Sequence, residues 1–182
     1  MNSKKLSIRD MCFMAIFTTL TAICAQISIL LPGGLVPFTL QTLAIQLAGV
    51  ILGAKKGALS AIVYVLLGAV GIPVFARFTG GLGIISGPTG GFILSFPIMA
   101  LIAGIGASRN NTISLISGLT IGTVINFLCG ILFFTLVMSS SLQTAFTATT
   151  LPFIPSAVLK IIFLAVIGKR IKITLAKNGL LA

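Results

Sequence analysis

Long apolar stretches, separated by short polar or glycine-rich segments, run along the whole chain. A helix needs about 20 mainly apolar residues to cross the hydrocarbon core of a bilayer. Charged residues and clusters of Gly, Pro and Ser divide the chain into six stretches of roughly this length. The pattern predicts an all-α integral membrane protein with one transmembrane domain over residues 1–182. The six spans are expected near residues 10–31, 37–53, 57–75, 88–107, 112–138 and 153–172.

The composition is typical of a chain that lies in a bilayer. Charged residues make up only 7% of the 182 residues, whereas soluble proteins average about 25%, and mean hydropathy is +1.22. The sequence has no His and a single acidic residue, Asp10. Two-carboxylate acid–base catalysis, a Ser-His-Asp triad and a His- or carboxylate-based metal centre are therefore excluded within the chain. The chain is predicted to be no enzyme and to hold no metal or cofactor.

The basic residues predict the orientation of the spans. With the N-terminus in the cytoplasm, only Arg77 falls in an outer loop, and Lys160 falls within the last span. Lys and Arg are enriched in cytoplasmic loops, so both termini are expected in the cytoplasm and the chain in the cell membrane. The net charge of +11 then reflects topology, and no nucleic-acid partner is expected. The cytoplasmic residues would be Lys4, Lys5, Arg9, Lys55, Lys56, Arg109, Lys169, Arg170, Lys172 and Lys177.

Lys160 is the first candidate for a binding site. It is expected about five to seven residues inside the outer end of the last span, where an ionisable group usually pairs, faces a wet cavity or extends to the interface. Asp10, the chain's only carboxylate, would lie at the cytoplasmic end of the first span. A counter-ion from a bound anionic ligand is one interpretation, and a lysine that reaches the outer interface is the other.

Three outer segments rich in glycine and small polar residues could surround Lys160. They cover residues 32–41, 77–91 and 139–156. The second contains six glycines, which allow close approach of backbone to a ligand, and it is interpreted either as a wall over a site or as a flexible loop. No GxxxxGK[ST] motif and no dinucleotide-binding spacing is present, so nucleotide binding is rejected.

Uncharged polar groups within the spans add hydrogen-bonding capacity that lipid cannot satisfy. Thr39 and Gln41 lie near the outer end of the second span, Tyr64 lies in the third and Asn126 in the fifth. Such groups can join helices or bind a ligand, and both interpretations stay open here. Together with one cation, they describe a site for a small molecule that has a polar uncharged head and one carboxylate.

Two other classes of function are compatible with parts of the pattern. Ser156 and Lys160 stand at i, i+4, as in a Ser-Lys membrane hydrolase, although nothing else marks an oxyanion site. A channel for a small anion would need a lined pathway instead of one closed site. Neither explains the glycine-rich outer segment as well as a binding protein does.

The chain contains no apparent energy source for transport against a gradient. It has no ATP-binding motif and no Asp, Glu or His in the middle of a span for proton relay. A partner is therefore expected. Ala15, Thr19 and Ala22 form a face of small residues on the first span, where a second helix could approach closely.

Four strings of residues, in order along the chain, closely resemble the BioY family, whose members are biotin-specific S components of energy-coupling factor (ECF) transporters. The strings are VPFTLQT at 36–42, GAVGIPVFA at 68–76, GGLG at 80–83 and GPTGGF at 87–92. The resemblance implies a six-helix S-component fold and capture of biotin at the outer face. It also implies a transmembrane coupling subunit and two cytoplasmic ATPase subunits as partners, with Ala15, Thr19 and Ala22 at the coupling interface.

The last span departs from the family pattern at one position. The family's helix typically opens with Phe-x-Pro-x-Asp-x-x-Lys, and here Phe153, Pro155 and Lys160 match while Ala157 replaces the Asp. That Asp would have been a partner for Lys160 or for N–H groups of the ligand. An S component for another carboxylate-bearing vitamin is the alternative. The predicted substrate-binding residues are Thr39, Gln41, Tyr64, Arg77, Phe78, Thr79, Gly83, Ser86, Thr89, Asn126 and Lys160.

Overall fold

The computed structural model describes residues 6–29, 36–109 and 111–178. As predicted, the fold is almost entirely α-helical, with one two-residue antiparallel strand pair in which Ser28 lies opposite Thr39. The last two residues of the predicted first span, part of the outer segment 32–41, and Lys4 and Lys5 lie outside the described residues. The elements are α1 (Ile8–Gln26), β1 (Ser28–Ile29), β2 (Phe38–Thr39), α2 (Gln41–Leu52), α3 (Ala54–Ala69), α4 (Leu82–Ile85), α5 (Gly90–Leu94), α6 (Phe96–Ser108), α7 (Thr112–Met138), α8 (Leu142–Thr149), α9 (Ile154–Phe163) and α10 (Lys169–Lys177).

The helices differ from the predicted spans in five places. The first ends at Gln26, because residues 28–29 pair as a strand. The second starts at Gln41 because residues 38–39 pair as a strand. The third runs from Ala54 to Ala69 and ends before Gly71, whose φ of +103° does not continue a helix. The fourth is divided at Ser95 into α5 and α6, and the last contains a π-helical turn, Leu164–Gly168.

A further helix, α8, lies in the segment 139–156, which was predicted as an outer segment between the last two spans. The hydroxyl of Ser141 accepts a hydrogen bond from the backbone N–H of Thr144 at 3.1 Å, which caps the first turn. Ala145 is fully buried, whereas Leu142 and Phe146 are exposed. The helix is short and rich in Thr, which is why hydropathy did not reveal it.

Three helical stretches of the described residues are long and apolar enough to cross a membrane. They are Ile8–Gln26, Thr112–Met138 and Leu142–Leu175, and Gln41–Leu52 and Phe96–Ser108 are shorter apolar helices. Large aliphatic side chains such as Leu136 and Leu159 are exposed along them. An apolar outer surface of this extent suits contact with lipid and does not suit water.

Helix α6 lies at the centre and packs against α2, α3 and α7. Glycines allow these contacts: a Cβ on Gly49 would collide with the carbonyl oxygen of Ala100, and a Cβ on Gly118 would lie 2.8 Å from the Cα of Gly106. Backbones this close gain van der Waals contact without large side chains, which is a common way to pack helices in lipid.

The chain direction separates two ends of the bundle. The "pocket end" contains the ends of α1 and α3, the starts of α2, α5 and α9, and the segments 70–89 and 139–153. The "basic end" contains the start of α1, the α2–α3 and α6–α7 junctions, and α10. Described basic residues at the basic end are Arg9, Lys55, Lys56, Arg109, Lys169, Arg170, Lys172 and Lys177.

Candidate functional site

A cavity of about 420 Å³ opens at the pocket end, within the range of sites that hold small ligands. Its walls come from β2, α2, the segment 75–89, α5, α6, α7 and the start of α9. The apolar part of the lining is aromatic, with Phe75, Phe92 and Phe96 among its residues. The predicted site residues that line it are Thr39, Gln41, Arg77, Thr79, Gly83, Thr89, Asn126 and Lys160.

Three predicted site residues do not line this cavity. The Phe78 side chain is 74% exposed and lies outside it, and the exposed Ser86 donates its hydroxyl to the carbonyl oxygen of Leu82 in its own turn. Tyr64 is fully buried behind the wall. Spacing along the segment 77–91 could not show which side chains turn inward, because a short 3₁₀ turn and α4 interrupt it.

Lys160 lies in the cavity wall on α9. Its ammonium donates to the carbonyl oxygen of Thr39 at 2.6 Å and to the hydroxyl of Thr42 at 3.0 Å. It also lies 5.1 Å from the ring centre of Phe38, within the range of a cation–π contact. All these partners are uncharged, and Asp10 is instead paired with Lys56 at 2.6 Å at the basic end. The part-buried charge of Lys160 therefore has no anionic partner among the described residues.

The amide of Gln41 is held in one orientation by a buried tyrosine. Tyr64 donates its hydroxyl hydrogen to the carbonyl oxygen of Val74 at 2.8 Å, and a hydroxyl has only one hydrogen to donate. It must therefore accept from Gln41, whose Nε2 lies 2.6 Å away. The arrangement fixes the NH₂ of Gln41 toward Tyr64 and leaves its Oε1 with no partner among the described residues.

Two further amides repeat this arrangement on the cavity wall. Asn126 donates from Nδ2 to the carbonyl oxygen of Phe92 at 2.9 Å, and Gln46 donates from Nε2 to the carbonyl oxygen of Leu119 at 2.8 Å. A carbonyl oxygen can only accept, so the orientation of each amide is determined by its neighbour. Asn126 Oδ1 and Gln46 Oε1 accept no hydrogen bond from the described residues.

The cavity thus offers a defined set of polar groups to a ligand. Three amide oxygens, on Gln41, Gln46 and Asn126, are available as acceptors, and the ammonium of Lys160 is available as a charged donor. Aromatic and aliphatic side chains form the rest of the wall. A molecule with N–H donors on an apolar body and one negative group would match all three features.

The segment 75–81 forms part of the wall and is anchored to α1. Gln26, at the end of α1, donates from Nε2 to the carbonyl oxygen of Phe75 at 3.1 Å and accepts from the backbone N–H of Phe78 at 2.8 Å. Arg77 and Phe78 adopt φ values of 60° and 55°, a left-handed conformation that is uncommon outside glycine. The Gln26 contacts stabilise this turn, which brings the exposed Arg77 to the cavity lining.

An aromatic pair lies beside Lys160. The rings of Phe38, on β2, and Phe153, just before α9, stack with centres 5.9 Å apart. This contact ties the strand pair to the start of the last helix. Phe153 was noted in the sequence only as part of a motif, and Phe38 only as part of a string, because nothing in the sequence shows that residues 115 positions apart meet.

Gln26, Gln46 and Thr42 also belong to this site, although none of them is among the predicted substrate-binding residues. Gln46 joins α2 to α7 through its NH₂ group and also lines the cavity. Gln26 lies at the last residue of a span, where a polar residue is unremarkable. The sequence feature that points to Gln26, Gln46 and Thr42 is that each is a polar residue in an otherwise apolar stretch.

Ser156 and Lys160 form no dyad. The hydroxyl of Ser156 donates to the carbonyl oxygen of Phe153 at 2.8 Å, while Lys160 binds Thr39 and Thr42. The geometry of the described residues therefore offers no activated nucleophile here.

On α1, Ala15 and Thr19 are exposed and Ala22 is half-buried. The Thr19 hydroxyl donates to the carbonyl oxygen of Ala15 at 3.0 Å, so it uses its hydrogen within the helix. The three small residues lie on one strip of the helix surface. This strip leaves room for the backbone of another helix to approach.

Comparisons with known proteins agree with the predicted family and with the helical fold. The model of the BioY family matches residues 1–177. A protein of Pyrococcus horikoshii named probable biotin transporter BioY is 38% identical over 164 residues, which cover 90% of this chain and 96% of that protein. The chain belongs to the BioY family. Members of this family are transporter components and not enzymes.

A second relative and a solved structure extend the comparison. The biotin transporter BioY of Thermotoga maritima is 36% identical over 166 residues, covering 90% of this chain and 96% of that protein. The crystal structure of the S component for biotin from an ECF-type ABC transporter superposes with a TM-score of 0.82 at 27% identity, covering 94% of each chain. The BioY chain described here therefore has the fold of an S component, over nearly its whole length.

Proposed function

We propose that this BioY chain captures biotin in the cavity at its pocket end as the S component of an ECF transporter. The observation that carries the proposal is that one cavity combines an ammonium without an internal anion and three amide oxygens with no partner among the described residues. Biotin has a carboxylate on a flexible apolar chain and a ureido ring with two N–H donors. The free groups of the cavity are complementary to those of biotin.

In this proposal Lys160 pairs with the carboxylate and the amide oxygens receive the ureido N–H groups. Lys160 Nζ has three donors and uses two on Thr39 and Thr42, so one remains for the ligand. The exposed Arg77, at the lining of the same cavity, would attract the anion before it enters. Thr79, Gly83 and Thr89 complete the wall.

Calorimetric titration of the purified protein in detergent tests the proposal, with biotin, biotin amide and pantothenate as ligands. Biotin should bind, and the uncharged amide should bind roughly 10- to 100-fold more weakly, as expected for loss of a charge-assisted hydrogen bond. Pantothenate carries a carboxylate but no ureido ring, so it should not bind. Binding of pantothenate in preference to biotin would instead support an S component for another carboxylate-bearing vitamin.

The topology forms part of the same proposal. Six spans with both termini in the cytoplasm of the cell would place the basic end inside and the cavity outside, as the distribution of Lys and Arg favours. Cysteine labelling tests this orientation in a variant without the three native cysteines. A membrane-impermeant thiol reagent applied to whole cells should label Leu82→Cys and not Ser108→Cys, and the reverse pattern would overturn the assignment.

The chain would act with a coupling subunit and two cytoplasmic ATPase subunits. The strip formed by Ala15, Thr19 and Ala22 is the proposed contact with the coupling subunit, because it allows close helix approach without loss of a core residue. ATP hydrolysis in the partners would then drive the rearrangement that releases biotin inward.

A further inference from the structure

A second, smaller cavity lies at the basic end, far along the helices from the biotin site. It has a volume of about 120 Å³ and is bounded by α2, α6, α7 and α10. One side is apolar and the other carries two ammonium groups and an amide. Its lining residues are Val50, Ala107, Asn111, Leu115, Lys169, Lys172 and Ile173.

The two lysines of this cavity are held in place by uncharged oxygens. Lys172 donates to the carbonyl oxygen of Ala107 at 2.7 Å, and Lys169 donates to the hydroxyl of Thr112 at 2.9 Å. Each ammonium has three donors, so each keeps two for another acceptor. The chain's one acidic side chain, Asp10, is paired with Lys56. These ammonium groups therefore have no anionic partner among the described residues.

The helix around the lysines is shaped by an irregular turn. The π-helical turn Leu164–Gly168 directly precedes Lys169, and a Cβ on Gly168 would lie 3.4 Å from a methyl carbon of Val50 in the cavity wall. π-turns shift the faces of the residues that follow and recur at functional sites. Lys169 and Lys172, at i and i+3, then share one face beside the apolar wall.

We infer that this cavity binds the phosphate group of an anionic phospholipid, with the acyl chains along the apolar wall. The observations favour a lipid over a free anion because the lysines stand at the end of a membrane-embedded bundle, next to side chains such as Leu115 and Ile173 that water does not favour. Basic cavities between helices at the membrane surface are suited to phospholipid headgroups. The site is independent of the biotin cavity.

Native mass spectrometry of delipidated protein tests the inference, with phosphatidylglycerol and phosphatidylcholine added in parallel. The native chain should retain phosphatidylglycerol preferentially, and Lys169→Gln with Lys172→Gln should weaken that retention about tenfold or more. The matched control is Lys55→Gln with Lys177→Gln, which removes the same charge at the same end outside the cavity, and it should retain the lipid. Biotin titration of each variant shows that the protein is folded.

Three results would overturn the inference. If Lys169→Gln with Lys172→Gln still retains phosphatidylglycerol, the two lysines do not bind it. If Lys55→Gln with Lys177→Gln loses the lipid equally, only the net charge matters. Displacement of the lipid by inorganic phosphate at a matched concentration shows that the cavity takes a free anion. In each case biotin binding, measured separately, remains a test of the proposed function alone.

Discussion

The amide of Gln41 donates a hydrogen bond of 2.6 Å to the hydroxyl of Tyr64, which itself donates to a backbone carbonyl. The tyrosine never reaches the cavity, yet it determines which atom of Gln41 does. A residue that the sequence suggested as a ligand contact is thus a positioning residue for another. The sequence alone cannot distinguish a residue that contacts the ligand from one that orients such a residue, and this hydrogen bond does.

Tyr64→Phe should weaken biotin binding by about two- to tenfold, the effect of losing one hydrogen bond of roughly 0.5–1.5 kcal/mol. Without the hydroxyl, the amide of Gln41 can rotate and present its NH₂ group to the ligand's N–H donors. Calorimetry measures the change. Ser86→Ala is the control: Ser86 does not line the cavity, so this variant should bind biotin as the native chain does. Equal affinities of the native chain and Tyr64→Phe for biotin would contradict the positioning role of Tyr64.

Lys160→Gln should reduce the affinity for biotin by roughly 10- to 100-fold and leave that for biotin amide nearly unchanged, because only biotin carries the negative charge. Arg77→Gln is the matched variant. Since Arg77 is exposed, its loss should mainly slow association and make it less sensitive to salt. A variant of Lys160 that loses both ligands equally would show that the lysine does not meet the carboxylate.

Ala157→Asp should reduce the ratio of the affinity for biotin to the affinity for biotin amide. The new carboxylate would lie on the cavity wall three residues before Lys160, on the same helical face, and would give the ammonium an internal anion. The ligand carboxylate would then compete with that anion. An unchanged ratio of the two affinities in calorimetry would mean that the new carboxylate does not contact Lys160. Ala157→Asn is the control for the size of the added side chain.

Gly118→Ala should destabilise the bundle by about 1–3 kcal/mol, because its Cβ would approach the Cα of Gly106 and the carbonyl oxygen of Ile102 at 2.8 and 2.9 Å. Gly83→Ala is the control, since no atom lies within 4 Å of a Cβ there. Thermal unfolding in detergent, followed by circular dichroism, should show a lower midpoint for the first variant only. Equal midpoints would indicate that α6 and α7 can separate at little cost.

Ala15→Trp should abolish co-purification with the coupling subunit and leave biotin binding intact, because a large side chain blocks close helix approach. Ile16→Trp adds a ring to the adjacent, more apolar face of α1, where the side chain is already 58% exposed, and should assemble normally. If both variants assemble, the strip on α1 is not the interface.

Features that depend on neighbouring residues were predicted better than features that depend on contacts between distant residues. Helix α7 has its predicted bounds, 112–138, because hydropathy is summed over many neighbouring residues. The end of the first span and the start of the second were less accurate, because a strand pairing determines them. The end of the third was also less accurate, because one glycine conformation determines it. Helix α8 escaped prediction because its stability comes from a cap and one buried face.

By itself, the sequence of this BioY chain determined the membrane character, the helical class, the isolation of Lys160 from any carboxylate and the family. Those properties follow from composition, hydropathy and short motifs, which need no knowledge of contacts. Only the tertiary structure decided that Gln46 faces the cavity, that Tyr64 stands behind it, and that Lys169 and Lys172 border a second one. The orientation of a side chain depends on partners from distant parts of the chain, and no local pattern records them.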